Sequence, residues 1–383
     1  MAAIEPLVSP RPYAAADLAF GLSVLDTWCA QDSTANIVLS PSSLSSALGM
    51  AYLGARGSTA TAMAGVLHLP ASGSLEAGLQ ARARALRGLD GAGVTVADAD
   101  QVWADPALPP LGSYVDALAT SYGAGLRQAP LLTDPAAAAK QINAAIAAAT
   151  KGHISRLLSA QGLQNVVFVL TDALYLKARW ATPFQPGSTT TGQFAVSAGR
   201  PVQAHFLNGD ETAAAYAGWT AVSLPYQGGR LSMTALLPPL GSAGCAGLTT
   251  ADVAAIAGRL GKPADSAVAN VFLPEINLSS QANLDGLLGQ LGMSIAFNPQ
   301  EANFTGLSPQ AGYIGSVVQG ATLRVDAQGT VASAATAVTI LPSMAVAPKA
   351  PPIVFNRPYL LLVTATATGE PLFLARVANP DLA

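Results

Sequence analysis

Charge is scarce in this chain. Its 383 residues hold 19 Lys and Arg and 22 Asp and Glu, 11% of the total, with a formal net charge of −3. A nucleic-acid partner is excluded as the main one, since phosphate binding needs clustered cations. The richest basic patch, Arg82, Arg84 and Arg87, reads as a solvated helix face. Histidine is equally sparse. His68, His153 and His205 are the three present, no GxSxG or HExxH accompanies them, and His153 and His205 read as surface or structural residues. Gly-Gly occurs only at Gly228-Gly229, so a phosphate-cradling glycine loop is lacking. These absences predict no catalytic residues, no metal site, no cofactor and no enzyme. Two cysteines, Cys29 and Cys245, do not make a disulfide framework or a CxxC metal motif, and both read as buried free thiols. No charge-free run is apolar enough to span a membrane. The first residues, with Glu5, Arg11 and Asp17, lack the basic start and apolar stretch of a signal peptide.

What is plentiful is apolar side chain, 51% of residues, much of it alanine. Helical patterns dominate the first 160 residues. Ser40-Pro41-Ser42-Ser43 opens a helix running through Leu53, with serine as cap and proline tolerated in the first turn. Gly57-Ser58-Thr59 starts a second helix, with Met63, Val66 and Leu67 on one face. Asp134-Pro135 starts another that ends near Gly152. Beyond residue 165 strands take over: 166–170 continued by 172–176, a hairpin formed by 222–226 and 230–237, then 270–276, 359–366 and a last return through 372–377. Helices early and strands late predict an α+β fold. No Gly/Ser-rich linker divides it, so residues 1–383 read as one domain.

Residues 327–348, AQGTVASAATAVTILPSMAVAP, are the oddest stretch, without charge or aromatic side chain. A connection of this length inside a compact domain is usually functional or disordered. At period two, one face holds Thr330, Ala332, Ala334, Thr336 and Val338, and the other Val331, Ser333, Ala335, Ala337 and Thr339. Such a segment can slide between two existing strands. It has no charge to bury and no proline before Pro342, and Gly329 leaves its front free to bend. An Ala-rich helix or a flexible linker are the alternatives on composition alone.

Several blocks, in order along nearly the whole chain, resemble the serpin family. Asn36-Ile37-Val38-Leu39-Ser40-Pro41-Ser42-Ser43 and Leu53-Gly54-Ala55-Arg56-Gly57-Ser58-Thr59 are similar to its N-terminal signature. Ile142-Asn143 with Thr150-Lys151-Gly152-His153-Ile154, then 172–180 with Trp180 and Phe184, resemble later blocks. So do Leu224-Pro225-Tyr226 with Leu231-Ser232-Met233, and Ala302-Asn303-Phe304-Thr305-Gly306. Phe355-Asn356-Arg357-Pro358-Tyr359 and 371–380 are similar to its C-terminal signature.

The resemblance implies three β-sheets, eight to nine helices and an exposed reactive-centre loop at about 327–350. It implies an inhibitor of serine proteases that acts as a suicide substrate. A protease cleaves the loop and is acylated, the loop inserts as a new strand, and the covalent complex is trapped. The hinge would be Gly329, Thr330, Val331, Ala332, Ser333, Ala334, Ala335 and Thr336. Ala327 and Val331 stand where the family usually has glutamates. The reactive bond falls between Ser343 and Met344 or, shifted by one, between Met344 and Ala345. No Arg or Lys lies between residues 325 and 348, so elastase-, subtilisin- or chymotrypsin-like targets fit better than trypsin-like ones. Under the sheet's opening, in a region with Ser40, Ser43 and Trp180, the family's usual asparagine and histidine are Asp172 and Gln319. An Asp–Gln hydrogen bond is expected there, with Ser40 and Ser43 as further donors. A monomer, no heparin-type cofactor and an extracellular setting are expected, the cytoplasm being the alternative since no signal peptide is visible. A non-inhibitory binding serpin is the rival reading.

Overall fold

The structure, a computed structural model, describes residues 8–71, 74–91, 93–98, 100–164, 166–185, 187–196, 199–242, 247–310, 312–330 and 351–380. Its helices are α1 (Arg11–Gln31), α2 (Pro41–Tyr52), α3 (Gly57–Val66), α4 (Leu75–Arg87), α5 (Gly112–Tyr122), α6 (Pro135–Ala149), α7 (Thr250–Leu260) and α8 (Asp285–Leu288). The first eight strands are β1 (Ile37–Leu39), β2 (Val94–Asp98), β3 (Gln101–Ala104), β4 (Arg127–Gln128), β5 (Phe168–Arg179), β6 (Thr190–Phe194), β7 (Val202–Tyr216) and β8 (Trp219–Pro225). The rest are β9 (Leu231–Leu237), β10 (Ala267–Pro274), β11 (Ile276–Asn283), β12 (Ser316–Val325), β13 (Gly329–Thr330), β14 (Ile353–Val354), β15 (Tyr359–Ala365) and β16 (Pro371–Val377).

The helix starts follow their caps. Ser40 Oγ accepts the Ser43 N–H at 3.2 Å ahead of Pro41, and Asp134 Oδ1 accepts the Ala137 N–H at 2.9 Å ahead of Pro135. At α7, Thr249 and Asp252 close a reciprocal capping box. The two short strand readings at 166–170 and 172–176 merge into β5, 12 residues long.

The strands fall into two hydrogen-bonded systems. One runs β11-β12-β5-β3-β4, with β2 and β13 also on β5. The other runs β1-β16-β15-β9-β8-β7-β10-β14, with β6 on β7. The long β7 is shared. Val202–Phe206 pair with β6, Phe206–Ala213 with β10 and Thr212–Tyr216 with β8, so this one strand links the two parts of the second system. The sheets and the eight α-helices among the described residues agree with the predicted α+β architecture.

Side-chain alternation on β5 sets the layers. Phe168 and Leu170 point inward onto Leu44, Ala47 and Leu48 of the buried helix α2. Val169 and Ala173 point outward under Ile142 and Ile146 of α6. Gly21 lets α1 cross the start of α2, since a Cβ there would meet Pro41 Cγ at 2.5 Å.

Two expectations are corrected. Arg82 does not lie on a solvated face. It is 2% exposed, and its Nε donates to Asp17 Oδ2 at 2.5 Å and Glu370 Oε1 at 3.0 Å. These partners lie 65 and 288 residues away, so no local charge pattern announces them. Cys29 is not a free thiol: it is buried and disulfide-bonded. The other cysteine of the chain, Cys245, lies outside the described residues.

Candidate functional site

The geometry of interest is the edge of β5 that faces β12. β12 runs parallel to β5 from Ser316–Val169 to Ala321–Leu174. Past that rung β12 stays with β11, up to Val325–Ile276, and parts from β5. Ala178 near the end of β5 is the rung partner of both Val94 in β2 and Thr330 in β13, so β2 and β13 lie on opposite edges of β5. β2 and β3 keep one register along β5, which places β13 on the edge shared with β12. Among the described residues, no strand pairs with Tyr175–Lys177 on that edge. β5 and β12 thus diverge around a gap, with Gly329-Thr330 entering it antiparallel to β5.

A tight turn directs the chain into this gap. Asp326 Oδ1 accepts the N–H of Gln328 at 2.9 Å and of Gly329 at 3.2 Å, and the Asp326 N–H reaches Gly329 O at 3.0 Å. The turn is held from outside by the Trp180 N–H on Gln328 O at 3.0 Å and the Phe184 N–H on Ala327 O at 2.9 Å. Trp180 Nε1–H adds a bond to Asp326 O at 2.9 Å. Its ring stacks on Tyr226 with centroids 4.6 Å apart and meets Phe184 edge-on. Gly329 is required: its φ is +150°, and a Cβ would sit 2.7 Å from Arg179 Cα in the β5 backbone. Thr330 is fully buried, and its Oγ1 lies 2.7 Å from Tyr226 Oη. Burial raises the Tyr226 phenol above its ordinary pKa, with the bond to Thr330 acting against that, so the phenol stays neutral.

The predicted sheet-opening residues divide into two places. Asp172 and Gln319 are rung partners on β5 and β12 and are 1% and 2% exposed. Both point inward, by alternation with Leu170 and Leu174 on β5 and with Val317 and Ala321 on β12. The expected Asp172–Gln319 hydrogen bond is not formed, because neither amide atom of Gln319 has a partner. Ser40 is occupied as the cap of α2, its hydroxyl 3.4 Å from that of Ser42, and the Ser43 hydroxyl is buried without a partner. Neither serine serves the carboxylate as predicted. Trp180 lies at the far end of β5, where it secures the hinge turn rather than the Asp172–Gln319 rung.

Of the predicted hinge, Gly329 and Thr330 are placed. Val331, Ala332, Ser333, Ala334, Ala335 and Thr336, and the reactive-bond residues Ser343, Met344 and Ala345, lie outside the described residues. Tyr226, Asp326 and Gln328 were not singled out for the hinge by sequence. Tyr226 contacts Thr330 across 104 residues, and only its presence in a family-like block marks it. His153 is exposed and stacked on Tyr175 at 4.1 Å, and His205 is exposed, as expected of surface residues. Among the described residues, no group of His, Cys, Asp and Glu could hold a metal, and no helix is long and apolar enough to cross a membrane.

A sheet whose two strands part around the entry of a third segment is a geometry that belongs to a definite protein class. The profile of the Serpin (serine protease inhibitor) family matches residues 15–380, and the chain belongs to that family. Serpin B6 of Macaca fascicularis is 28% identical over 379 residues, 94% of this chain and 97% of that protein. Leukocyte elastase inhibitor A of Rattus norvegicus is 26% identical over 374 residues, 94% and 97%. Among solved structures, serpin-12 of Manduca sexta superposes with a TM-score of 0.82 at 23% identity, over 96% of this chain and 99% of that one. Human thyroxine-binding globulin with its thyroxine superposes with a TM-score of 0.84 at 22% identity, over 97% and 100%.

Proposed function

We propose that this chain inhibits serine endopeptidases as a suicide substrate, with residues 327–350 as the reactive-centre loop. The observation that carries the reading is the buried Gly329-Thr330 rung on β5, the first step of a strand. Its register, extended, sets Ala332 against Leu176, Ala334 against Leu174 and Thr336 against Asp172. The inward set is then small throughout, so the strand enters without steric conflict or a buried charge.

The chemistry follows the family's scheme. The protease serine oxygen attacks the carbonyl carbon of Ser343, the bond to Met344 breaks, and the Met344 amine leaves with the proton. Met344–Ala345 is the alternative bond. Loop insertion then carries the acylated protease away before water cleaves the ester. Insertion adds on the order of a dozen ladder hydrogen bonds, each worth roughly 0.5–1.5 kcal/mol net, which is the driving force. A small or unbranched residue ahead of the cut suits elastase-, subtilisin- or chymotrypsin-like pockets, and an elastase inhibitor is among the relatives. The test is incubation with these three proteases. A complex that survives SDS supports the reading, and cleavage without a complex overturns it. The mass of the released C-terminal fragment identifies the bond.

A small-molecule carrier is the second reading, since one relative by structure binds thyroxine. An apolar cavity between α1, α7 and the β9–β15 face gives it a place, but its volume of about 250 Å³ is below the roughly 300–1,000 Å³ usual for such ligands. The inhibitor reading is preferred. It takes the chain as a single domain acting as a monomer. The disulfide at Cys29 favours an extracellular or otherwise oxidising compartment.

A further inference from the structure

Two acids and one base meet where α1, α4 and the turn between β15 and β16 converge. Asp17, Arg82 and Glu370 are each 2% exposed, and one Arg82 Nε–H serves both carboxyls. The rest of the guanidinium is spent on neutral acceptors, Ser46 Oγ at 2.8 Å and the Ser42 carbonyl of α2. Both carboxyls thus converge on a single N–H, at 2.5 and 3.0 Å. Two carboxylates held on one buried guanidinium repel each other unless one of them carries a proton. With both ionised, the cluster would hold a net negative charge away from water, which is strongly disfavoured.

We infer that Asp17 and Glu370 hold one proton between them, and that this proton makes the junction of α1, α4 and the β15–β16 turn an acid-strengthened clasp. Among the described residues, nothing else facing the cluster supplies a second cation. α1 adds Tyr13, α5 adds Tyr122, and the residue ahead of β3 adds Asp100, whose charge acts on Tyr122. α2 presents only serine hydroxyls and a carbonyl. Glu76, Arg84 and Arg87 of α4 are exposed. Arg230 lines a neighbouring cavity of about 530 Å³ together with Glu370 and is engaged with the carbonyls of Gly88 and Asp90. That cavity gives the proton a route to solvent.

Burial drives the Glu370 carboxyl well above its ordinary pKa, Arg82 opposes this in part, and Asp17 adds to it. The sign follows. A raised folded-state value means the folded chain binds the extra proton, so the stabilisation is complete below the ordinary glutamate range and is lost as pH rises through the folded value. The folding equilibrium constant then falls by up to about tenfold per pH unit over that window.

Carbon-13 NMR of glutamate side-chain carboxyls on the whole chain tests this directly, with the Glu370 signal identified by its loss in Glu370→Gln. A Glu370 carboxyl that stays protonated well above the ordinary glutamate range is expected. Titration near pH 4.5 overturns the inference. In urea unfolding from pH 5.5 to 8.5, the wild type should lose stability relative to Glu370→Gln, which mimics the protonated form. Parallel curves overturn it. Glu211 of β7, pushed up to about 7 by burial and by Asp210, contributes equally to both proteins. Should Glu370→Gln not fold, Asp17→Asn serves: one raised glutamate carboxyl signal should move to lower pH, and no movement overturns the inference.

Discussion

The Thr330 hydroxyl lies 2.7 Å from the phenolic oxygen of Tyr226, both fully out of solvent. This bond ties Thr330 of β13 to the start of the β8–β9 turn. In Tyr226→Phe the ring still stacks on Trp180, but the Thr330 hydroxyl is left buried without its partner, a cost of about 1–3 kcal/mol. Thr330→Val should cost a similar amount by stranding the phenol. The double variant should recover much of the loss, since both polar groups are gone. Thermal unfolding of the three variants checks this: additive losses would mean that the bond is not the coupling element.

Thr330→Arg puts a guanidinium where the structure has a sealed contact with Tyr226 and the β5 backbone. Placing an unpaired charge there costs several kcal/mol, so the chain has to withdraw from the rung. The expected outcome is a substrate rather than an inhibitor. Elastase or chymotrypsin should cleave the loop and be released active. A complex of Thr330→Arg that withstands SDS would show that this rung is not needed for trapping.

Much of this was legible in the residues themselves. Ser40-Pro41 and Asp134-Pro135 announce α2 and α6, because a cap and a proline act on the turn that follows them. The hairpins around Gly228-Gly229 and Gly369 are local for the same reason. Gly329 marked the bend where the chain joins the β5 edge. What stayed hidden depends on residues far apart in sequence. Arg82 reads as one of three basic residues on a helix until Asp17 and Glu370 are seen on either side. Cys29 reads as a buried thiol because two cysteines alone carry no pattern. Trp180 was grouped with Asp172 by resemblance, but Asp172 sits in the first half of the 12-residue β5 and Trp180 lies just past its end.

Gln319 carries a buried amide with neither end bonded, opposite Asp172 at the last part of the β5–β12 ladder. In the extended register Thr336 arrives at this rung, and its hydroxyl is the natural partner for that amide. Gln319→Leu removes the unsatisfied group at similar volume, so the uncleaved chain should gain stability, on the order of 1 kcal/mol. The same change removes the partner awaiting the loop and strengthens the seam that must part. Insertion should slow, and more inhibitor should be cleaved per protease trapped. Titrating protease activity against inhibitor gives that ratio. An unchanged ratio together with unchanged melting would remove Gln319 from the opening step.

The strongest consequence of the gap concerns the chain after cleavage. Among the described residues, no strand pairs with the β12-side edge of β5 from Tyr175 to Lys177, and β12 parts from β5 beyond Ala321. While the loop is intact, its far end is tethered to β14 and the strands beyond it, so the segment cannot run the length of the gap. Cutting near Ser343 releases that tether. The loop can then complete a ladder between β5 and β12, adding on the order of ten net hydrogen bonds at roughly 0.5–1.5 kcal/mol each. The cleaved protein should therefore melt at a markedly higher temperature than the intact one, although it has lost a covalent bond. Calorimetry before and after limited cleavage by elastase reads this out. The same experiment on Thr330→Arg should show a much smaller rise, because its entry rung is blocked. A wild-type chain that melts at the same or a lower temperature after the cut would mean that the gap does not take the loop.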